Sequence, residues 1–357
     1  MNRLASYIIV SVLKGTALVV FALVAVSSVI EFVGQLEDVG LAAYGLREAV
    51  IYVALRIPHK MFDVLPAAAL LGALLSLGNM AVHRELIVMR ASGISQYRLV
   101  GAVGAAGVVL LVVMLLLGES LAPSLGAYAR ELRADALRQD IDIASGQSTW
   151  LKDGERIINL RRPGNGIEFE QRLTLFDLDG DTALDQVVRA DLLMAESATG
   201  EWEMRDYAET RFDSSGTAAV RQPTMQRDYG LSLELLGLGE FREDLLDTPT
   251  LRRYISYLEA QGLDASRYLA AYWGRIASGA SVVFMTVLAL PFVLGGLRSA
   301  GAGARMIIGL VIGLGYFVLV QVSANIGTVF RLDPVLAAWA PSALLLVVTA
   351  IAVVRLR

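Results

Sequence analysis

The stretch MFDVLPAAALLGALLSLGNMAV, Met61–Val82, is almost wholly apolar and carries one ionisable side chain, Asp63. A transmembrane helix needs about 20 such residues, so this stretch predicts a membrane span. Five further stretches meet the same requirement: Gly15–Leu36, Leu99–Gly118, Ile276–Leu297, Met306–Ile326 and Val335–Val354. Of the 357 residues, 55% are hydrophobic and only 18% are charged. This composition is typical of a multispan membrane protein rather than a soluble domain.

Basic residues predict the orientation of the spans, because short loops rich in Lys and Arg stay in the cytoplasm. The N-terminal segment, the loops after spans two and four, and the C-terminal tail together carry nine Lys and Arg. Their one acid is Glu85. The loop after span one instead holds the acids Glu37, Asp38 and Glu48. We therefore predict that both termini and the loop around Glu85 are cytoplasmic.

A polar insert, Pro123–Arg275, separates spans three and four and holds 27 of the chain's 35 acids. After an initial helix, short alternating runs such as RIINL and IEFEQRLTLFDL are separated by turn residues every 8–12 positions. This pattern predicts an all-β sandwich or an open jelly roll. The closing segment TPTLRRYISYLEAQG has capping threonines, one apolar face and a terminal Gly262, so it predicts a helix along the membrane surface.

The predicted fold is an α-helical membrane protein with six transmembrane helices (3+3) and an inserted all-β, jelly-roll-like domain on the non-cytoplasmic side. The first part, residues 1–122, contains spans one to three and a cytoplasmic helix at 82–95. The inserted domain covers residues 123–270, with the β jelly roll at about 141–238 and the surface helix at 249–262. Residues 271–357 form spans four to six.

Several chemistries are excluded by residue type. The three lysines, Lys14, Lys60 and Lys152, are not followed by Ser or Thr, so the chain has no phosphate-binding loop. If ATP drives the protein, another chain hydrolyses it. The chain has no cysteine, and its two histidines, His59 and His83, fall on opposite sides of the membrane. We therefore predict no metal site, no catalytic triad and no cofactor.

The stretch DLDGD, residues 177–181, invites comparison with a calcium-binding loop. The glycine of an EF-hand loop comes later, and a glutamate stands at its twelfth position, where this chain has Val188. A hairpin turn between two strands accounts better for the stretch.

Polar residues near the span ends are the candidate lipid contacts. Arg130 and Arg133 lie one helical turn apart, on a face that is either solvated or bound to anionic headgroups. His59 and Lys60 sit at an outer span end, at headgroup depth. Three further polar residues lie within spans, where such groups usually face a bundle interior or a cavity. They are Glu31, Gln321 and Asn325.

The segment AVHRELIVMRASG, residues 81–93, is a charged helix between two spans. Val82, Leu86, Met89 and Gly93 recur at helical spacing and form an apolar stripe, with Arg84 and Glu85 among the charges beside it. Such a helix either orients the chain by its positive charge alone or docks into a groove on a cytoplasmic partner. Because the chain lacks a phosphate-binding loop, we favour the second interpretation, a coupling helix.

These features together resemble the lipopolysaccharide export permeases LptF and LptG, and more closely the LptG branch. The likeness covers the whole chain and is specific as a combination, although each piece alone is weak. The matching pieces are EFVGQL (31–36), LPAAALLGALLSLGNMA (65–81), RELIVMRASGIS (84–95), GESLAP (118–123), LKDG (151–154), YISYLEAQGLDASRY (254–268) and GGLRS (295–299).

The resemblance implies the transmembrane half of an ABC-type exporter in the Gram-negative inner membrane. In that family an LptF–LptG pair sits on an LptB-type ATPase dimer and extracts lipopolysaccharide from the outer leaflet. The β domain then passes the lipid to an LptC-type bitopic protein and a periplasmic bridge. The permease itself is not an enzyme, and nothing implies a nucleic-acid partner.

The resemblance also assigns roles to residues. Arg84, Glu85, Met89 and Gly93 match the coupling helix, and Glu85 matches the acid that faces the ATPase. Arg130 and Arg133 match basic positions near the lipid cavity, and spans one and five line the lateral gates. Inward positions of the β domain, such as Leu173, Leu175 and Phe176, are expected to form its lipid groove.

The chain departs from the family at the end of span one. The resemblance implies lysines there, whereas this sequence has Glu31, Glu37 and Asp38, and His59 with Lys60 replaces the lysine expected before span two. Either the lipid is less anionic at that point, or arginines elsewhere compensate.

Two other functions are open on the sequence alone. A mechanical transmitter would couple an ATPase to a periplasmic partner and move no lipid. A lipid-modifying enzyme would need catalytic groups at one depth, and Glu31, His59 and Asp63 are the set available for it.

Overall fold

The computed structural model describes residues 2–138, 148–153, 156–161, 170–179, 183–193, 202–213, 216–227, 246–295, 301–330 and 332–355. The chain forms two compact units. The first, called the helical unit, comprises Met1–Ala136, Glu243–Ile255 and Asp264–Arg357. The second, called the β unit, comprises Leu137–Arg242 and Ser256–Leu263.

Six helices of the described chain are long and apolar enough to cross a membrane, which confirms the predicted number of spans. They are α1 (Asn2–Gln35), α3 (Ile57–Val82), α5 (Gln96–Leu116), α8 (Ser266–Leu294), α9 (Ala302–Val329) and α10 (Pro334–Val354). The shorter helices are α2 (Leu46–Leu55), α4 (Glu85–Ala91), α6 (Ala122–Arg138) and α7 (Thr248–Ala260). A π-helical turn, Leu117–Leu121, joins α5 to α6, so span three continues beyond its apolar part.

The spans differ from the predictions mainly at their ends. Helix α1 begins at Asn2, whereas the apolar stretch begins at Gly15. Hydropathy marks the part of a helix that suits lipid, but the backbone hydrogen bonds continue through the polar residues before it.

Helix α7 lies close to its predicted position, and its apolar residues Leu251, Tyr254, Ile255 and Leu258 are buried.

Helices α1 and α3 approach each other closely at small residues. A Cβ atom added to Gly72 would lie only 2.4 Å from the backbone nitrogen of Thr16. On the same face, the Ser76 hydroxyl donates a hydrogen bond to the carbonyl of Ser11 (2.8 Å). In lipid, the burial of apolar surface contributes little to helix association, so helices associate mainly through close packing at small residues and through interhelical hydrogen bonds. Helix α3 is thus the central support of the helical unit.

The β unit contains one antiparallel sheet, which confirms the predicted all-β insert. Its six described strands are β1 (Ser148–Asp153), β2 (Arg156–Arg161), β3 (Glu170–Asp179), β4 (Ala183–Leu193), β5 (Trp202–Asp213) and β6 (Gly216–Arg227). They pair in chain order, as in a meander. The pairing of Asp179 with Ala183 shows that β3 and β4 form the hairpin predicted at DLDGD. Residues 141–147 and 228–238 of the predicted jelly roll lie outside the described residues.

Candidate functional site

Charged residues gather where the end of α1 meets α2, α3 and α6. We call this set the charged cluster and define it as Glu31, Asp38, Arg56, Lys60 and Arg133. The ammonium group of Lys60 lies 2.5 Å from a Glu31 carboxylate oxygen. Lys60 also donates a hydrogen bond to the carbonyl of Ser27 (2.7 Å). The other Glu31 oxygen lies 3.4 Å from Nε of Arg56, so one acid holds two cations.

The second half of the charged cluster is an ion pair between Arg133 and Asp38, 2.5 Å apart. The Arg133 guanidinium also lies 5.7 Å from the ring centroid of Tyr52, and that of Arg56 lies 5.9 Å from the same ring. These distances suit cation–π attraction. The Nε atom of Arg133 is buried and has no hydrogen-bond partner among the described residues. An additional acceptor, such as a phosphate oxygen, would satisfy it.

Next to the charged cluster, two further residues fix the connection after α1. Tyr44 is almost fully buried, and its hydroxyl donates a hydrogen bond to the side-chain oxygen of Gln35 (2.9 Å). Burial raises the pKa of Tyr44, so the hydroxyl keeps the proton that it donates. This bond holds the segment that carries Asp38 against α1.

The charged cluster therefore combines three cations with two acids, and Arg130 adds a further cation one helical turn from Arg133. Nε of Arg130 donates a hydrogen bond to the carbonyl of Gly126 (3.0 Å). Two of the three acids that replace the expected lysines, Glu31 and Asp38, are internal partners of basic residues, whereas Glu37 is exposed. Their carboxylates reduce the positive charge at this site without abolishing it.

His59 and Lys60 are adjacent in sequence but contribute to different sites. His59 lines a pocket on another side of α3 and lies 3.7 Å from Asp63, one turn along the same helix. The set Glu31, His59 and Asp63, considered above for an enzyme, is thus divided. Glu31 is held by Arg56 and Lys60, and the other two residues belong to the pocket.

Helix α4 lies at the opposite end of α3, after a sharp turn. Arg84 has a positive φ of 62°, which is unusual for a residue with a side chain, and Gly93 has a φ of 84°, which favours glycine. The carboxylate of Glu85 accepts a hydrogen bond from the hydroxyl of Tyr7 on α1 (3.0 Å). The only acid predicted in the cytoplasmic loops thus connects α4 to span one.

The two faces of α4 differ in their contacts. Leu86 is buried, and Met89 packs against the same apolar core. Ile87 and Val88 are exposed, Val88 to 62%. Of the apolar stripe recognised in the sequence, Leu86 and Met89 therefore pack against the chain's own core, whereas Val82 and Gly93 are exposed. The apolar surface that α4 offers to a partner is formed by Ile87 and Val88. Their exposure could not be read from helical spacing alone.

Gln321 and Asn325, predicted to face a bundle interior or a cavity, are exposed on the surface of α9. The spacing of four residues places them on one face of the helix. In this chain that face is directed away from the other spans. A cavity that contains these side chains needs a second molecule to close it.

The three residues predicted to form the β groove lie on two faces of the sheet. Leu173 and Leu175 are fully buried in an apolar cluster that also contains Ile158 and Val188. Phe176 follows Leu175 directly, so its side chain points to the opposite face. It stacks there on Trp150, with ring centroids 6.0 Å apart. The prediction of one groove with all three side chains is wrong, because successive residues of a strand alternate between faces.

Comparison with known proteins gives a single answer. The sequence pattern of the lipopolysaccharide export system permeases LptF/LptG matches residues 6–355. The chain belongs to this family. A lipopolysaccharide export system permease protein LptG from Haemophilus influenzae is 30% identical over 346 residues, which cover 97% of this chain and 96% of that protein. The LptG of Escherichia coli K12 is 30% identical over 329 residues, 90% of either chain.

Family membership confirms the resemblance drawn from the sequence. This chain is a multi-pass inner-membrane protein of a lipopolysaccharide export system, and as a permease it is a transporter subunit rather than an enzyme. Among the residues discussed, Tyr7 and Tyr52 have no signal in the sequence. Tyr7 lies 78 residues before Glu85, and Tyr52 is also far in sequence from Arg133, so only the packing of the helices brings each pair together.

Proposed function

We propose that this chain is the LptG-type subunit of an ABC-type exporter that extracts lipopolysaccharide from the outer leaflet of the inner membrane. The observation that carries the proposal is the link between α4 and α1, the hydrogen bond of Tyr7 to Glu85. An LptB-type ATPase dimer would dock on the exposed apolar face of α4, at Ile87 and Val88. A movement of α4 would then reach span one directly.

Binding of the lipid headgroup would take place at the other end of span one. The charged cluster and Arg130 would bind a phosphate of the lipid headgroup on the periplasmic side. Arg133 is the best placed residue, because its buried Nε has no acceptor among the described residues. Since Asp38 already neutralises part of its charge, phosphate would compete with that carboxylate, and binding would be weaker than at an unpaired arginine.

The partners follow from the surfaces that this chain leaves uncovered. An LptF-type permease would face α9, where Gln321 and Asn325 would border the shared lipid cavity and its lateral gate. ATP is bound by the ATPase, so this chain needs no cofactor. The β unit would lie in the periplasm and pass lipid to an LptC-type protein and the bridge beyond it.

The apolar face of the sheet supports this transfer, because Leu173 and Leu175 form a continuous apolar surface with their neighbours on β2 and β4. In the present conformation both side chains are buried. Acyl chains would therefore replace contacts that the sheet now makes within the chain. Phe176, on the other face, would not touch them.

Photocrosslinking at neighbouring positions tests the proposal. The full complex, with its ATPase and partner permease, carries a photoreactive amino acid at Leu175, or at Phe176 as a matched control. We expect lipopolysaccharide to be captured at Leu175 only during ATP turnover, and not at Phe176. A third variant carries the photoreactive amino acid at Arg133 in the helical unit. If ATP is hydrolysed but lipid is captured neither at Leu175 nor at Arg133, the result would favour a mechanical transmitter that moves no lipid.

A further inference from the structure

The helical unit contains a pocket of about 330 Å³ that is separate from the charged cluster. Its walls come from α3, the end of α5, the π-helical turn, the start of α6, α8, α9 and α10. All of these lining residues belong to the compact helical unit. Small residues dominate one side, including Ala270, Ala271 and Gly274. The volume is at the lower end of the range of ligand sites, about 300–1,000 Å³.

The inner part of the pocket offers few free hydrogen-bonding groups, although hydroxyl groups lie in or near its lining. Tyr316 is a buried residue of the lining, and its hydroxyl lies 3.1 Å from that of Ser342. Ser342 in turn donates to the carbonyl of Ala277 (3.0 Å). Because these hydroxyl groups are satisfied within the chain, they offer little to a polar ligand. An apolar group is the natural occupant of such a space.

The outer part of the pocket carries charges of both signs. His59 and Asp63 come from α3, Glu119 from the π-helical turn and Arg275 from α8. The Asp63 side chain is 52% exposed, so this end of the pocket is accessible. Both oxygens of Glu119 bind Thr248, one its backbone nitrogen (3.1 Å) and the other its hydroxyl, which fixes this carboxylate in place.

The extent of the pocket along α9 fits within one leaflet of a bilayer. Its lining residues on this helix run from Tyr316 to Ala324, a rise of about 12 Å at about 1.5 Å per residue. One leaflet contributes about 15 Å of hydrocarbon. The pocket also lies where α9 packs against α3 and α10 but makes few contacts with α8. A bound molecule would fill the space between α8 and α9.

We propose that this pocket binds one acyl chain of a zwitterionic aminophospholipid whose headgroup is phosphoethanolamine. The acyl chain occupies the apolar depth between α8 and α9. The ammonium group of the headgroup pairs with Asp63, and its phosphate pairs with Arg275 and His59. This lipid is a resident component of the helical unit and not the transported substrate.

Charge and size favour this occupant over lipopolysaccharide. The two carboxylates, Asp63 and Glu119, would repel the second phosphate of a multiply anionic headgroup. A pocket of this volume also has no room for several acyl chains. An anionic phospholipid with one phosphate would lack the ammonium group that Asp63 attracts, and would bind more weakly.

Lipid binding to the purified, delipidated full-length chain in detergent tests the proposal by native mass spectrometry. Phosphatidylethanolamine, phosphatidylglycerol and lipopolysaccharide are titrated separately. We expect phosphatidylethanolamine to bind about tenfold or more tightly than phosphatidylglycerol, as one charge-assisted contact implies. Equal binding of the two phospholipids, or preference for lipopolysaccharide, would overturn the assignment.

A matched pair of glycine substitutions locates the site. A Cβ at Gly274 would meet no atom within 4 Å, so Gly274→Leu adds a side chain to the pocket without a backbone clash. Gly315 on α9 is equally uncrowded, but it is not part of the pocket lining. Gly274→Leu should abolish the preferred binding, and Gly315→Leu should retain it. If both variants retain it, the pocket is not the site.

Single-cysteine labelling gives a second measurement with little structural change, since the chain has no cysteine of its own. Ala271→Cys places a thiol in the pocket wall, and a small thiol reagent reports its accessibility. Phosphatidylethanolamine in mixed micelles should slow the labelling, whereas phosphatidylglycerol should slow it much less. Labelling that is unaffected by phosphatidylethanolamine would contradict occupation of the pocket.

Discussion

Helices α3 and α9 are both apolar spans, with mean hydropathy of 1.8 and 2.2 in their most apolar windows, yet they are used differently. In α3, 61% of that window is buried within the chain, compared with 11% in α9. Hydropathy alone does not reveal this difference. The contacts in the structure do: Gly72 and Ser76 bring α3 against α1, whereas Gln321 and Asn325 lie on the exposed surface of α9.

The difference suggests how one chain can be both stable and mobile. Helix α3 connects the two candidate functional ends, with Lys60 of the charged cluster near its start and Glu85 just beyond its end. Helix α9 is much less buried within the chain than α3. We therefore expect substitutions in α3 to affect folding and those in α9 to affect assembly and lipid passage.

The largest effect is expected from Gly72→Leu, which would force α1 and α3 apart. Overpacking at such a contact costs about 1–3 kcal/mol, and more where the backbone cannot move. Gly101→Leu on α5 is the control, because a Cβ there meets no atom within 4 Å. Thermal unfolding in detergent should show a large loss for the first variant only. Equal stability of the two would contradict the central position of α3.

The next effect concerns the charged cluster. The double substitution Arg130→Ala, Arg133→Ala should weaken lipopolysaccharide binding by more than about tenfold, because a charge-assisted hydrogen bond contributes about 1.5–3 kcal/mol. Asp38→Asn should act in the opposite direction, since it frees Arg133 for phosphate. Arg47→Ala, an exposed cation of α2, is the control. Lipid binding that is unchanged by all three would assign Arg130 and Arg133 to a solvated face.

A smaller effect is expected at the hydrogen bond between α1 and α4. Tyr7→Phe removes the donor to Glu85 and retains the ring, so it breaks this exposed hydrogen bond without removing other contacts. We expect more ATP to be hydrolysed per lipid released, with the ATPase still bound. Tyr97→Phe removes the hydroxyl of another exposed tyrosine and should have no effect. The same number of ATP molecules hydrolysed per lipid released in both variants would show that the Tyr7–Glu85 hydrogen bond does not couple α4 to span one.

The smallest effect on folding is expected in α9. Gln321→Leu and Asn325→Leu should change the free energy of unfolding by no more than about 0.5 kcal/mol, as at other exposed positions. The same substitutions should reduce crosslinking between this chain and its partner permease, or between this chain and lipid. A large loss of stability in the isolated chain would show that this face is packed within the chain.

The sequence predicted the six spans and the β insert because hydropathy and strand alternation are local properties. It also identified α4 from its apolar residues at helical spacing, and α7 from its capping threonines and terminal glycine. It did not predict that Asp38 pairs with Arg133, since 95 residues separate them and only packing brings them together. The assignment of Phe176 to the groove failed for a different reason. Its hydrophobicity suggested burial, whereas its position in β3 directs it to the opposite face.

ATP-driven release of lipopolysaccharide from proteoliposomes tests the central claim most directly. The reconstituted complex carries either the natural chain or Glu85→Ala, and ATP hydrolysis and lipid release are measured in the same sample. Glu85→Ala removes the acceptor of the Tyr7 hydroxyl and with it the hydrogen bond that links α4 to α1. We expect Glu85→Ala to lose its ATPase or to hydrolyse ATP without releasing lipid. Normal release of lipid by this variant, with its ATPase retained, would contradict the account.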